Sequence, residues 1–168
     1  MNNFPIQHEN KTYWVSRSIA VAGFVFTKIN GEYHVLANKR GSGVPNYQGY
    51  WNVPCGYLDY NETTAEAVCR ETFEETGVVI KPNLTQLWGI DDDPKSTLQN
   101  VTFKYFTFLP EKQDISISDR GGETNEVELV SWIPISNIDE YKWAFGHDKI
   151  INEMITYFNL DGATKIKN

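Results

Sequence analysis

Long apolar runs are missing from this chain. The longest, Ile19–Phe26, is interrupted only by Gly23 and is far too short for a membrane-spanning helix, which needs about 20 apolar residues. The start, MNNFPIQHENK, has no apolar signal-peptide core. Neither insertion into a membrane nor export is expected. Cysteine is scarce: Cys55 and Cys69 are the only two, and their spacing fits neither a zinc site nor a redox pair. Free thiols in a reducing cytoplasm are the expectation. Basic residues are outnumbered, 15 Lys and Arg against 22 Asp and Glu, for a net charge of −7. Such a surface does not favour binding to polymeric nucleic acid or to anionic membranes. It still admits a small phosphorylated ligand, which needs only a local cluster of base and metal. His8, His34 and His147 form no spaced cluster, so a nucleophile–His–acid triad has no support. The Gly41-Ser42-Gly43 turn lacks the Lys and the helix of a phosphate-binding P-loop. No calcium-loop spacing follows Asp91–Asp93, which reads as a solvated loop.

What is present is a globular composition, 40% apolar and 14% aromatic over 168 residues. That length predicts a single domain, residues 1–168, with its core at about 17–160. Ile19–Thr27 and Tyr33–Lys39 read as strands joined at Asn30-Gly31, a turn pair that tolerates positive φ. Gly41–Gly49 is a loop, and Trp51–Pro54 a short apolar segment. A helix is predicted from Thr63, where Thr63 and Glu66 fit a capping box, to Gly77, which fits the left-handed position after a helix end. Val78–Ile80 and Leu84–Ile90 read as extended, interrupted by Pro82, and Val101–Leu109 and Val127–Ile133 as strands. A last helix over Gly146–Asn159 carries Ile150, Ile151, Met154, Ile155 and Phe158 at helical spacing, a core stripe. Trp14, Trp51 and Trp88 are expected in core or sheet packing. The pattern predicts an α+β fold, helices packed on a mixed sheet.

Glu71, Glu74 and Glu75 stand at i, i+3 and i+4 on the first of these helices. At about 100° per residue they share one face. Like charges so placed repel, so the cluster calls for a compensating cation: a base such as Arg70, a divalent metal, or both. Opposite them the helix wheel places Ala65, Cys69, Thr72, Phe73 and Thr76, with Phe73 the one large anchor, and Ala67 leaves a gap one turn before Glu71. Gly56 and Glu62 precede the cluster, and Arg70 lies four residues before Glu74, the spacing of a helical ion pair.

Together, Gly56, Glu62, Arg70-Glu71, Glu74-Glu75 and Gly77-Val78 resemble the Nudix box, and Trp51-Asn52-Val53-Pro54 resembles the segment that commonly leads into it. Thr72 takes a position usually given to an aliphatic residue, and Cys55 one where a first glycine is common. The resemblance implies a Nudix-type α/β/α sandwich with helices on both faces of the sheet. It implies hydrolysis of a pyrophosphate bond in a nucleoside diphosphate linked to another group, with Mg²⁺ or Mn²⁺ as cofactor. The implied metal ligands are Glu71, Glu74 and Glu75, with the carbonyl of Gly56 as a further ligand. Arg70 and Glu62 would pair to hold loop and helix in register. For a carboxylate beyond the box, acting as general base or extra ligand, Glu126 is the first candidate and Glu123 the second. Lys39 and Arg40, at a strand end, are candidates to meet substrate phosphate. Pro94, sixteen residues after Val78, matches a marker associated with ADP-ribose pyrophosphatases. ADP-ribose or a related nucleotide sugar is therefore the favoured substrate; a nucleoside triphosphate pyrophosphohydrolase and a non-catalytic nucleotide-sensing module are the alternatives. The partner implied is a small nucleotide in the cytoplasm, with neither nucleic-acid polymer nor membrane, and a homodimer is the assembly considered.

Overall fold

The computed structural model describes residues 3–117 and 125–161. The chain runs through β1 (Phe4–His8), β2 (Lys11–Val15), β3 (Ile19–Ile29), β4 (Glu32–Arg40), β5 (Trp51–Asn52), β6 (Cys55–Tyr57) and α1 (Thr64–Thr76). A 3₁₀ turn (Pro82–Leu84), β7 (Gln86–Asp91), β8 (Val101–Phe108), β9 (Val127–Pro134), a second 3₁₀ segment (Ile135–Glu140) and α2 (His147–Phe158) follow. Strands β3 to β9 form one mixed sheet in the order β5-β4-β3-β8-β7, with β6 also paired to β3 and β9 to β4. β3 and β8 run parallel, from Ile19 opposite Val101 to Phe26 opposite Phe108, and the other pairs are antiparallel.

Alternation along β3 splits the core into two layers. Val21 and Val25 face α1, in clusters with Ala67, Val68 and Tyr105 and with Leu36, Val78, Ile80 and Trp132. Ala22, Phe24 and Phe26 face α2, packed with Val35, Ala37, Ile133, Ile150, Ile151, Met154 and Ile155. Each large apolar side chain so buried contributes about 2 kcal/mol relative to exposure. Helices on both faces of a mixed sheet are the architecture predicted, and the α2 stripe is core. The Asn30-Gly31 turn has both residues at positive φ, 53° and 89°. No helix among the described residues is long and apolar enough to cross a membrane.

Three expectations need correction. One element was not anticipated: β1 and β2 pair as a separate hairpin, turning at Glu9 and Asn10 with φ of 48° and 62°. Trp14 lies on that hairpin and is 67% exposed, because a two-stranded ribbon has no second layer to cover it. Trp51 and Trp88 do pack against the core. Val78–Ile80 is irregular chain, not a strand, since the 3₁₀ turn begins within two residues at Pro82. The buried side of α1 is Ala67, Val68, Thr72 and Thr76, while Phe73 is only half-buried. Gly23 explains this docking: a Cβ there would meet Val68 at 2.9 Å and Thr72 Oγ1 at 3.1 Å, so α1 approaches β3 by its small residues.

Candidate active site

Helix α1 is closed at both ends by the residues predicted. The Thr63 hydroxyl accepts from Glu66 N, and the Glu66 carboxylate accepts from Thr63 N at 2.8 Å. Gly77 is left-handed, with φ 75°, and its N–H donates to Phe73 O. Thr64 Oγ1 and Tyr105 OH lie 2.7 Å apart, tying the first turn to β8.

Docking through the small residues turns Glu71 and Glu75 toward β6 instead of outward. β6 pairs with β3, Gly56 opposite Val21. The Glu71 carboxylate fills the space a side chain at Gly56 would need: even its farther oxygen, Oε2, lies 2.5 Å from an ideal Cβ position. Cys55 N donates to Glu75 Oε2 at 3.1 Å. Glu75 keeps some surface, but its carboxylate end is enclosed. Burial, then the neighbouring charge of Glu71, hold it well above the usual carboxylate range. Burial raises Glu71 as well, against the pull of Arg70. Burial also pushes the Cys55 thiol up to about 12, with Glu75 adding to the shift.

Arg70 is the hub. Its Nε and Nη2 clasp Glu62 at 3.1 and 2.8 Å, and Nη2 also donates to Tyr57 O at 2.9 Å. Its Nη1 reaches Glu71 Oε1 at 2.8 Å and Glu74 Oε2 at 3.0 Å. Its hydrogen bonds to Glu62 first, and the charge of Glu71, keep the guanidinium firmly protonated. Glu62 is held below the usual range by Arg70 and by the Asp59 N–H, which donates to it at 2.8 Å. One guanidinium therefore pins the loop 57–62 to the helix, as the spacing of Glu62 and Arg70 predicted.

The other candidates divide. Glu126 comes to the site: its charge acts on Glu75, and its carbonyl accepts from Gly41 N at 2.7 Å. A Cβ on Gly43 would meet the Asn125 carbonyl carbon at 3.1 Å, so the 41–43 turn lies directly on this strand entry. Glu123 lies outside the described residues. The charge of Arg40 reaches Glu75 and Cys55, placing it with the carboxylates. Lys39 is paired with Glu128 at 2.8 Å. Pro94 sits in the β7–β8 connection, separated from β6 by β3 and β8, in a loop stapled by Arg17 to the carbonyls of Asp92, Asp93, Gln99 and Asn100.

Sequence reasoning missed three residues. Asn38 and Asn52 face each other across β4 and β5, both fully buried, and the Oδ1 of each has no hydrogen-bond partner among the described residues. Asn52 Nδ2 donates to Val53 O at 2.8 Å and to Cys55 Sγ at 3.2 Å, shaping the turn into β6. His147, 5% exposed at the start of α2, accepts from Val53 N through Nδ1 at 3.2 Å. The pairing of Asn38 with Asn52 and of Val53 with His147 joins separate segments, which a local reading of the sequence does not reveal.

Among the described residues, no three His, Cys, Asp or Glu side chains converge as a ready cation site. The reason is visible in the bonds: Arg70 draws Glu71 and Glu74 to one nitrogen, while Glu75 turns to the Cys55 amide. The donor set still fits a hard dication. It offers oxygen ligands only, two of them enclosed carboxylates crowded against each other beside a glycine that leaves them room.

A family model described as the NUDIX domain matches residues 17–154. An ADP-ribose pyrophosphatase of Methanocaldococcus jannaschii is 29% identical over 117 residues, 67% of this chain; the chain spans 62% of the length of that relative. An RNA pyrophosphohydrolase of Hydrogenovibrio crunogenus is 30% identical over 144 residues, covering 74% of this chain and 87% of the relative. Among solved structures, the NUDIX domain of Shewanella oneidensis NrtR, complexed with ADP ribose, superposes with a TM-score of 0.73 over 86% of this chain and 90% of that one. Its sequence identity is 21%, a likeness of fold.

Proposed function

This chain belongs to the NUDIX domain family, and on that premise we propose that it is a divalent-metal-dependent pyrophosphohydrolase acting on a nucleoside diphosphate linked to another group. ADP-ribose or a related nucleotide sugar is the favoured substrate. The observation that carries the reading is the placement of Glu71 and Glu75 against β6, with Glu74 on the same helix and Arg70 balancing them. The archaeal ADP-ribose pyrophosphatase relative supports the choice of substrate.

Glu71, Glu74 and Glu75 would hold Mg²⁺ or Mn²⁺, with the Gly56 carbonyl as a further oxygen. A bound dication supplies an acidified water and offsets charge on the diphosphate. Arg70 and Glu62 position the helix against the loop and touch no substrate. Glu126, close enough to act on Glu75, takes the proton from the attacking water. Arg40 meets phosphate at the rim, where its charge offsets the carboxylates. RNA pyrophosphohydrolase activity is the second reading, favoured by the bacterial relative, although a net charge of −7 does not help a polyanion approach.

The test is a product-resolved assay with Mg²⁺ on ADP-ribose, other nucleotide sugars, nucleoside triphosphates and 5′-triphosphorylated RNA. Turnover of ADP-ribose to AMP and ribose 5-phosphate, abolished in Glu74→Gln and by chelator, is expected. Glu74 is more exposed than Glu71, and the variant should melt with the wild type. No turnover on any substrate, or full activity in Glu74→Gln, would overturn the reading.

A further inference from the structure

The rim beside Arg40 carries an aromatic cluster that none of the box chemistry uses. The loop 41–50 is closed on Arg40: its N–H donates to Tyr50 O, its carbonyl accepts from Gly49 N, both at 2.8 Å, and its Nε donates to Asn46 O at 2.9 Å. This closure brings Tyr47 and Tyr50 together, ring centroids 5.6 Å apart and steeply inclined. From the other side the chain entering α2 delivers Phe145, 5.0 Å from Tyr47. That segment is fixed to β5, since Trp51 N donates to Lys142 O and Ala144 N to Trp51 O, both at 2.8 Å. The Arg40 guanidinium lies over the Phe145 ring, 5.0 Å from its centroid.

Two features separate this cluster from ordinary packing. Tyr47 and Phe145 both have positive φ, 57° and 58°, a region that large side chains seldom occupy and that persists only where the surroundings impose it. Neither ring is buried: Tyr47 is 45% exposed and Phe145 half-buried, and the adjoining Tyr50 is 36% exposed. Backbone strain that presents aromatic faces to solvent beside a cation gains nothing for the core.

We propose that Tyr47, Tyr50 and Phe145 form the subsite that stacks the nucleobase of the substrate, with Arg40 taking the adjoining phosphate. This rests on the proposed function and names the part of the substrate it recognises. A planar base offers a π face to each ring, and the guanidinium is a second planar partner that also carries the charge a phosphate needs. The order aromatic cluster, Arg40, carboxylates matches the order base, phosphate, scissile bond in a nucleoside diphosphate. The charge of Arg40 acts on Glu75, consistent with one continuous surface. A bare sugar phosphate would use Arg40 and leave the rings idle.

The experiment compares AMP with ribose 5-phosphate on the chelator-treated 168-residue chain, by calorimetry and ligand-observed NMR, and measures kcat and KM for ADP-ribose with Mg²⁺. Wild type should bind AMP more tightly than ribose 5-phosphate. Tyr47→Ala and Tyr50→Ala should each weaken AMP binding about 10-fold, the effect of losing one stacking face. Ribose 5-phosphate binding should be unchanged, and Tyr47→Phe should restore AMP binding. KM for ADP-ribose should rise with kcat retained. Tyr60→Ala, removing a ring that is 85% exposed in the loop before α1, should change none of these. AMP binding no tighter than that of ribose 5-phosphate, or unaltered in both Tyr→Ala variants, overturns the subsite while leaving hydrolysis intact as a reading. Ring-dependent AMP binding in a protein that hydrolyses nothing sustains the subsite and sinks the hydrolase.

Discussion

Acid should unfold this protein through His147. The ring is buried, with Phe24 at 5.6 Å and Phe145 at 5.5 Å between centroids, and its Nδ1 accepts the Val53 N–H. An imidazolium has no lone pair for that bond. Burial first, and then the charges of Lys104 and Arg40, hold the ring neutral down to about 3, against an ordinary value of 6.5. Its position in the first turn of α2 adds a helix N-terminus that disfavours a cation. Because the folded value lies below the unfolded one, the unfolded chain binds the extra proton. The stabilisation is complete above pH 6.5 and is lost as pH falls from there toward 3. Between pH 7 and pH 4.5 two pH units lie below the unfolded value, so the loss is about 2.7 kcal/mol at 1.36 kcal/mol per unit. That is a large share of the roughly 5–15 kcal/mol a domain has in total. Carboxylates titrate in the same range and obscure the effect in a single titration. His147→Asn isolates it, since its amide oxygen can accept from Val53 N and never takes a charge. Urea unfolding of both proteins from pH 7 to 4.5 should show the wild type losing about 2.7 kcal/mol more than the variant. Parallel stability curves would refute the assignment, whatever the absolute stabilities.

Two further outcomes follow from the helix and the strand beneath it. Gly56→Ala should lower kcat/KM by about 100-fold, because the Glu71 carboxylate must retreat by roughly 1 Å to restore ordinary contact with the new Cβ. The melting temperature should hardly move, since only the end of a flexible side chain is displaced; wild-type turnover in this variant would show that the seating of Glu71 on Gly56 is irrelevant to the chemistry. Thr63→Ala removes the acceptor for Glu66 N and should cost about 1 kcal/mol, a drop of about 2–4 °C in Tm with kcat unchanged. An unaltered melt would mean the capping box contributes nothing to α1.

What could be read from the sequence was local. The ends of α1 were legible because a capping box and a left-handed glycine are signals written within a few residues of each other. The ion pair of Arg70 with Glu62 was legible because its spacing belongs to a recognisable motif. The rotation of α1 was not. A helical wheel gives the angles between residues but not which side meets the sheet, and Phe73 looked like the anchor. The sheet decided, through Gly23, that Val68 and Thr72 should dock, and that choice turned Glu71 and Glu75 inward. The parallel register of β3 with β8, the seating of Gly41 and Gly43 on Asn125 and Glu126, and the meeting of Tyr47 with Phe145 are likewise contacts between distant segments. The N-terminal hairpin escaped notice because a short polar ribbon without a second layer has no buried face to impose a strong alternation.

The geometry of Arg70 divides its work. Nε and Nη2 make three bonds to Glu62 in the loop and to the Tyr57 carbonyl at the end of β6, while Nη1 alone serves Glu71 and Glu74. A dication bound by the helix carboxylates would compete with one nitrogen of the guanidinium and leave the other two holding the loop. The residue can therefore balance the carboxylates in the free protein and release them without letting go of the fold. A lysine, with its single ammonium, could not keep both sets of bonds, which gives a physical reason for arginine at this position. Glu75 stands outside this exchange, bonded to the Cys55 amide and crowded by Glu71. It is the carboxylate whose charge the protein leaves least compensated, and so the one for which an incoming dication would do most.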